Sequence, residues 1–188
     1  MDLLDAHGRA MRGFDRTIHQ VGDHQWAEAT PCTDWTVRHL VNHVVSEQLW
    51  VPHLLAGEAL DDVGDRYAGD VLGGDPAGTW RAAAAAARAA WIEPGALDQR
   101  VHLTSGRIDA TEYGWQMTVD LAVHGWDLAR AIGVPHPIED AVAAELLDRV
   151  APEVEQWRDA GIVAPPVPVP ADADPPDRLV ALLGRDPR

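Results

Sequence analysis

The sequence predicts an all-α fold, an antiparallel bundle of four or five amphipathic helices followed by a proline-rich tail. Apolar residues recur at three- and four-residue steps in four or five separate segments, the period of one helical face. No set of segments alternates apolar and polar residues in the manner of half-buried strands. No motif recurs at a period of roughly 20 to 50 residues, which argues against a solenoid. Helices without strands bury their apolar stripes against one another, and a bundle is the simplest way to do so.

The first segment, roughly residues 2 to 21, places Leu4, His7, Met11, Phe14, Ile18 and Val21 on one face. ATPCTDWT then reads as a turn, and Thr36 or Asp34 is suited to capping the next helix by accepting from its free amides. That second helix runs from about Val37 to Leu55, and Pro52 is expected to kink or shorten it. GEALDDVGDRYAGDVLGGD reads as a loop. Asp75 followed by Pro76 opens an alanine-rich third helix that Pro94 and Gly95 close.

QRVHLTSGRIDATEYG reads as a loop with a short extended piece near Val101 to Leu103. Thr111 and Glu112 start the fourth helix, which lasts to about Ile132 with Gly133 as its C-terminal cap. Pro137 introduces a fifth, from about Ile138 to Trp157, with Val142, Leu146, Val150 and Val154 inward. APPVPVPADADPP lies extended because its prolines lack amide donors, and DRLVALLG forms a last turn or two. Residues 1–163 are therefore expected to form the bundle, and 164–188 a docked tail.

Bulk properties narrow the function. Acidic residues outnumber basic ones by 30 to 15 in 188 residues, a formal charge of −15 that repels nucleic acid and anionic lipid alike. The single cysteine, Cys32, excludes an intrachain disulfide and suits a reducing cytoplasm; it reads as a small buried hydrophobe. No stretch reaches the ~20 apolar residues of a membrane span. A cytoplasmic protein, monomeric or homodimeric, that acts on small molecules is expected.

Four polar residues stand out. On the second helix Val37, Leu40, Val41, Val44, Trp50, Val51, Leu54 and Leu55 fill one arc, yet Glu47 projects near its centre and His43 toward one side. A carboxylate there loses hydration at a cost of several kcal/mol unless it protonates or meets a partner. On the fourth helix His124 projects between Met117 and Ala131, and Asp120 lies at the border with Gln116 and Asp127, both expected to be wet. Asp120 and His124 are one helical turn apart, so their side chains share a face.

Two readings follow. In one, the histidines bond to backbone carbonyls, Asp120 is solvated, and Glu47 pairs with Arg88 or Arg130. In the other, the facing helices assemble a metal site, as bundles do. Imidazole with carboxylate suits zinc first, with nickel, iron or manganese as alternatives, and three ligands leave positions open for chemistry. His39, His7, His53 and His136 read as capping, core or exposed residues. Trp50 and Trp126 are placed to wall a pocket beside the ion.

TPCTDWTVRHLVNHVV, DLAVHGWDLARAIG and the tail PPVPVPADADPPDRLVALLGRDP together resemble the actinobacterial mycothiol-dependent maleylpyruvate isomerase N-terminal family of the DinB/YfiT-like superfamily. The resemblance spans nearly the whole chain. It implies a DinB/YfiT-like antiparallel four-helix bundle, here with an additional C-terminal helix, and a divalent metal held by His43, Asp120 and His124, with aspartate standing where the isomerase has glutamate. Glu47 lies outside that triad, as a supporting group or extra ligand. The isomerase also has a further carboxy-terminal domain, so isomerisation of maleylpyruvate itself is not implied. The resulting expectation is a metal- and mycothiol-dependent transferase or isomerase acting on a small electrophile. A non-catalytic metal or small-ligand binder and a metal-dependent hydrolase remain the alternatives.

Overall fold

The computed structural model describes residues 1–104 and 106–188. Its elements are α1 (Leu3–Ile18), α2 (Val37–Leu55), α3 (Leu60–Val63), α4 (Pro76–Ile92), β1 (Arg100–Leu103), β2 (Gly106–Asp109), α5 (Ala110–Ile132), α6 (Asp140–Val150), α7 (Val154–Asp159) and α8 (Pro175–Leu182). Backbone packing divides it into two compact units, Asp2–Pro137 and Ile138–Arg188 with Met1.

In the larger unit, α1, α2, α4 and α5 form the four-helix bundle. Leu3 lies against Gly114 and Phe14 against Gly125, so α1 and α5 run side by side in the same direction. Phe14 packs on Trp80 (4.6 Å between centroids) and His7 on Trp91 (5.6 Å), so α4 runs against α1. His43 Nε2 lies 3.1 Å from Asp120 on α5, and the charge of Glu47, one turn further along α2, acts on Tyr113, nearly two turns before Asp120, so α2 runs against α5. The order is up, down, down, up.

Two helices in succession that point the same way need a long return, and the segment between α2 and α4 provides it. Asn42 holds this return to α2 at both of its amide atoms. Its Nδ2 donates to Gly69 O (2.9 Å), and its Oδ1 accepts from Val71 N–H (2.8 Å).

Local chemistry sets the helix ends. Thr36 caps α2, its Oγ1 accepting from His39 N–H (3.3 Å) while the His39 ring accepts from Thr36 N–H. Asp75 caps α4 by accepting from Gly78 N–H (2.9 Å). Gly133 ends α5 at φ 75, a left-handed conformation that favours glycine. Pro52 sits in the last turn of α2, which continues through it to Leu55. The interior holds Phe14, Leu40, Trp80, Trp91, Leu121, Trp126 and Leu128, each almost fully buried. Every such side chain contributes about 1.5–3 kcal/mol by leaving water.

Two expectations need correction. The stretch read as a loop is an antiparallel hairpin pairing Arg100 with Asp109 and Val101 with Ile108; it is anchored by Val101, which is fully buried. The single fifth helix is broken into α6 and α7, because Pro152 has no amide to continue the ladder. The four residues expected to face inward, Val142, Leu146, Val150 and Val154, are all buried. In the same unit α8 packs on α6, and the extended tail bonds to it through Val167 N–H and Ala181 O (2.9 Å).

Candidate metal centre

His43 projects from the middle of α2, and Asp120 and His124 from the middle of α5. Because α2 and α5 run in opposite directions, these positions meet at one level. His43 Nε2 lies 3.1 Å from Asp120 Oδ1, and His124 Nε2 lies 3.3 Å from the same oxygen. The two imidazole rings meet edge to face, 5.1 Å between centroids. One donor atom from each of the three residues falls within 4.8 Å of the others.

The segment before α2 closes the site. Trp35 N–H donates to Cys32 O (3.1 Å), making a tight turn with Asp34 at φ 63. Thr30 Oγ1 accepts from Cys32 N–H (3.2 Å) and donates to Trp35 O (2.9 Å), which braces the turn from inside. The turn lays the Trp35 ring against both histidines, 5.0 Å from His43 and 5.7 Å from His124. It also brings Cys32 Sγ within 3.2 Å of Asp127 Oδ2 and 3.8 Å of His124 Nδ1. Asp127 is fully buried, and its Oδ2 lies 3.0 Å from His124 Nδ1.

Electrostatics follow from this crowding. Burial alone would raise the Asp120 pKa, but His124 and the hydrogen bonds from both histidines hold it well below the usual carboxylate range. Burial would likewise lower His124, yet the charge of Asp120, then bonds to Asp120, Asp127 and Cys32, raise it well above an ordinary imidazole. Glu47 is raised, first by burial and then by Asp120, with His43 and His124 opposing. Tyr113 is raised by burial, then by Glu47 and Asp120.

The donor set fits a divalent ion of intermediate softness, two imidazole nitrogens with carboxylate oxygen. A second observation agrees: Asp120 Oδ2 is buried and has no hydrogen-bond partner among the described residues. A buried carboxylate oxygen left this way costs free energy that a cation recovers.

The chain matches the family described as the mycothiol maleylpyruvate isomerase N-terminal domain over residues 7–129. It belongs to that family. Two uncharacterized proteins of Mycobacterium tuberculosis, from strains CDC 1551 and H37Rv, are each 32% identical to it over 191 residues, 98% of both chains. Its fold resembles the crystal structure of the mycothiol-dependent maleylpyruvate isomerase, with a TM-score of 0.63 at 17% identity over 85% of this chain and 71% of that one. A histidine-to-alanine variant of that enzyme matches over the same shares with a TM-score of 0.66 at 19% identity.

In this member of the mycothiol maleylpyruvate isomerase N-terminal domain family, the structure brings His43, Asp120 and His124 together, and Glu47 feels the charge of all three. Among the described residues Glu47 makes no ion pair with Arg88 or Arg130: Arg88 donates to Leu4 O (3.0 Å), and Arg130 lies over Trp126 (5.5 Å). Trp50 packs edge-on against Tyr67 (6.0 Å), while Trp126 is buried under Arg130. The ring that faces the histidines is Trp35, which sequence reasoning missed. Cys32, expected as a buried hydrophobe, is partly exposed and hydrogen-bonded. Asp127, expected to be wet, is buried, with Cys32 and His124 against its carboxylate. Its spacing of three residues from His124 was the available signal.

Proposed function

We propose that the chain uses a divalent ion, zinc foremost, at His43, Asp120 and His124 to run chemistry on a low-molecular-weight thiol, mycothiol, and a small electrophilic substrate. The observation that carries this reading is the convergence of His43, Asp120 and His124 from two helices, with the second oxygen of Asp120, Oδ2, buried and without a hydrogen-bond partner among the described residues. The description of the family, which names mycothiol, supports the choice of thiol.

A divalent ion held there would supply Lewis acidity and lower the pKa of a thiol bound to it. The chain's own residues do the rest. His43 and His124 would offer Nε2 to the ion as neutral imidazole donors. Asp120 sets the charge of the site. Glu47, raised in pKa by burial, takes the thiol proton, and the sulfur then adds to the electron-poor carbon of the substrate. Trp35 shields the histidines from water. Addition makes the double bond single and leaves its electron pair on the neighbouring carbon. Rotation about that bond and expulsion of the thiolate, which regains its proton from Glu47, is isomerisation, whereas delivery of that proton to the carbon retains the adduct and is transfer.

The test starts from untagged protein analysed for metal, wild type beside His124→Ala. Near-stoichiometric metal in the first and a marked loss in the second are expected. Metal-loaded protein is then incubated with mycothiol and a panel of electrophiles that includes maleylpyruvate. A chelator-sensitive rate that requires the thiol supports the reading. Turnover without thiol, or metal with neither adduct nor rate, overturns it.

A further inference from the structure

We propose that Asp127 is the positioning residue of this metal centre, fixing His124 so that its Nε2 faces Asp120 and His43, and that the Cys32 thiol in turn holds Asp127. The inference rests on the preceding reading of the site, and concerns residues outside its ligand set.

Asp127 is fully buried, and a carboxylate is kept out of water only at a cost of several kcal/mol unless strong donors meet it. Two do. In the arrangement we infer, His124 Nδ1 carries the proton and donates it across 3.0 Å to the Asp127 carboxylate at Oδ2. The same oxygen accepts the Cys32 S–H at 3.2 Å.

With Nδ1 occupied by a proton, the lone pair of the neutral imidazole is left on Nε2, the nitrogen 3.3 Å from Asp120 Oδ1. The alternative tautomer would place a proton where the ion belongs. Hydrogen bonds to the far nitrogen of a ligating histidine set ring orientation and basicity, and losing one costs about 10–100-fold in metal affinity.

The geometry is held from both sides. Asp127 stands three residues beyond His124 on α5, so helix geometry sets their separation. Cys32 comes from another part of the chain, delivered by the braced turn that ends at Trp35, whose ring packs on both histidines. The sulfur bond is the weaker of the two and adds a smaller share.

Zinc affinity measured by competition with a chromophoric chelator tests this for wild type, Asp127→Asn, Cys32→Ser and Cys32→Ala, with near-ultraviolet circular dichroism as a check on folding. Asp127→Asn is expected to bind about 10–100-fold more weakly. Cys32→Ala is expected to lose roughly two- to fivefold, and Cys32→Ser, which keeps a donor, to recover most of that. A structural role alone would not make serine rescue alanine, and this pair stays informative if Asp127→Asn fails to fold.

Nitrogen-15 NMR of the His124 ring provides a second readout that does not need bound metal. A slowly exchanging Nδ1–H is expected in the wild type and a fast-exchanging one in Asp127→Asn. Zinc affinity of Asp127→Asn within twofold of wild type, or a His124 Nδ1 without its proton, overturns the inference. So does a cobalt-loaded protein with a sulfur-to-metal absorption band lost in both cysteine variants, since the ion would then sit on Cys32 itself. Absence of zinc binding by the wild type would instead defeat the preceding reading, and the ring proton would still decide this one.

Discussion

Asp120 Oδ1 stands 3.1 Å from His43 Nε2, although 77 residues separate the two along the chain. The same oxygen serves His124 Nε2 at 3.3 Å, so one carboxylate atom joins α2 to α5. Removing it leaves two imidazoles at the same level with no anion between them. Asp120→Ala is expected to lower zinc affinity by more than the ~100-fold upper range for loss of an outer hydrogen-bond partner. In the metal-free variant the His124 pKa is expected to fall, since the charge of Asp120 is the largest contribution raising it. Isothermal titration and an NMR pH titration check the two outcomes.

His7 couples stability to acid. Burial, then the charge of Arg88, lower its pKa from 6.5 to about 3 in the folded chain. Below pH 6.5 the unfolded chain takes a proton that the native chain refuses, so stability falls as pH drops toward 3 and is unaffected by His7 above 6.5. The slope attributable to this residue is at most about 1.4 kcal/mol per pH unit. Urea unfolding between pH 7.5 and 4 is expected to show that slope in the wild type and its reduction in His7→Leu. Neither ring nitrogen of His7 has a hydrogen-bond partner among the described residues, so leucine is expected to cost little at neutral pH.

Asn42 binds the long return segment to α2 at both ends of its amide. Asn42→Ala deletes both bonds and is expected to cost about 1–3 kcal/mol. Hydrogen exchange localises the effect, with the Val71 amide expected to lose its protection while α1 and α5 keep theirs.

Gly184 lies at φ 85, where a Cβ would meet Ala164 Cβ at 2.6 Å and its carbonyl oxygen at 2.9 Å. Backbone strain and overlap act together, each costing of the order of 1–3 kcal/mol. Gly184→Ala is expected to make the Ile138–Arg188 unit susceptible to limited proteolysis. Fragment mapping by mass spectrometry would show whether cleavage is confined there.

Much of this structure was legible in the sequence. The limits of α2 and α4 were readable because Thr36, Asp75 and Pro76 act on amides within one turn of themselves. His43, Asp120 and His124 were visible as polar residues beside apolar helical faces. Trp35 and Cys32 were not, because they lie in a turn whose place against α5 no period reveals. Asp127 was read as wet because a helical projection shows direction and cannot show what chain lies outside it. The hairpin was missed because four-residue strands give too short an alternation, and the break at Pro152 because the apolar spacing runs on across it.

The sequence by itself determined the helices, their caps and the polar residues that break the apolar pattern, since these depend on bonds and spacings within a few residues. Only the tertiary structure decided that α2 opposes α5 at the level of His43 and Asp120, and that Cys32 and Trp35 close over His124. Those contacts join segments 77 to 95 residues apart. They depend on the long return between α2 and α4 and on the braced turn before α2, where cross-chain packing rather than local preference sets the geometry.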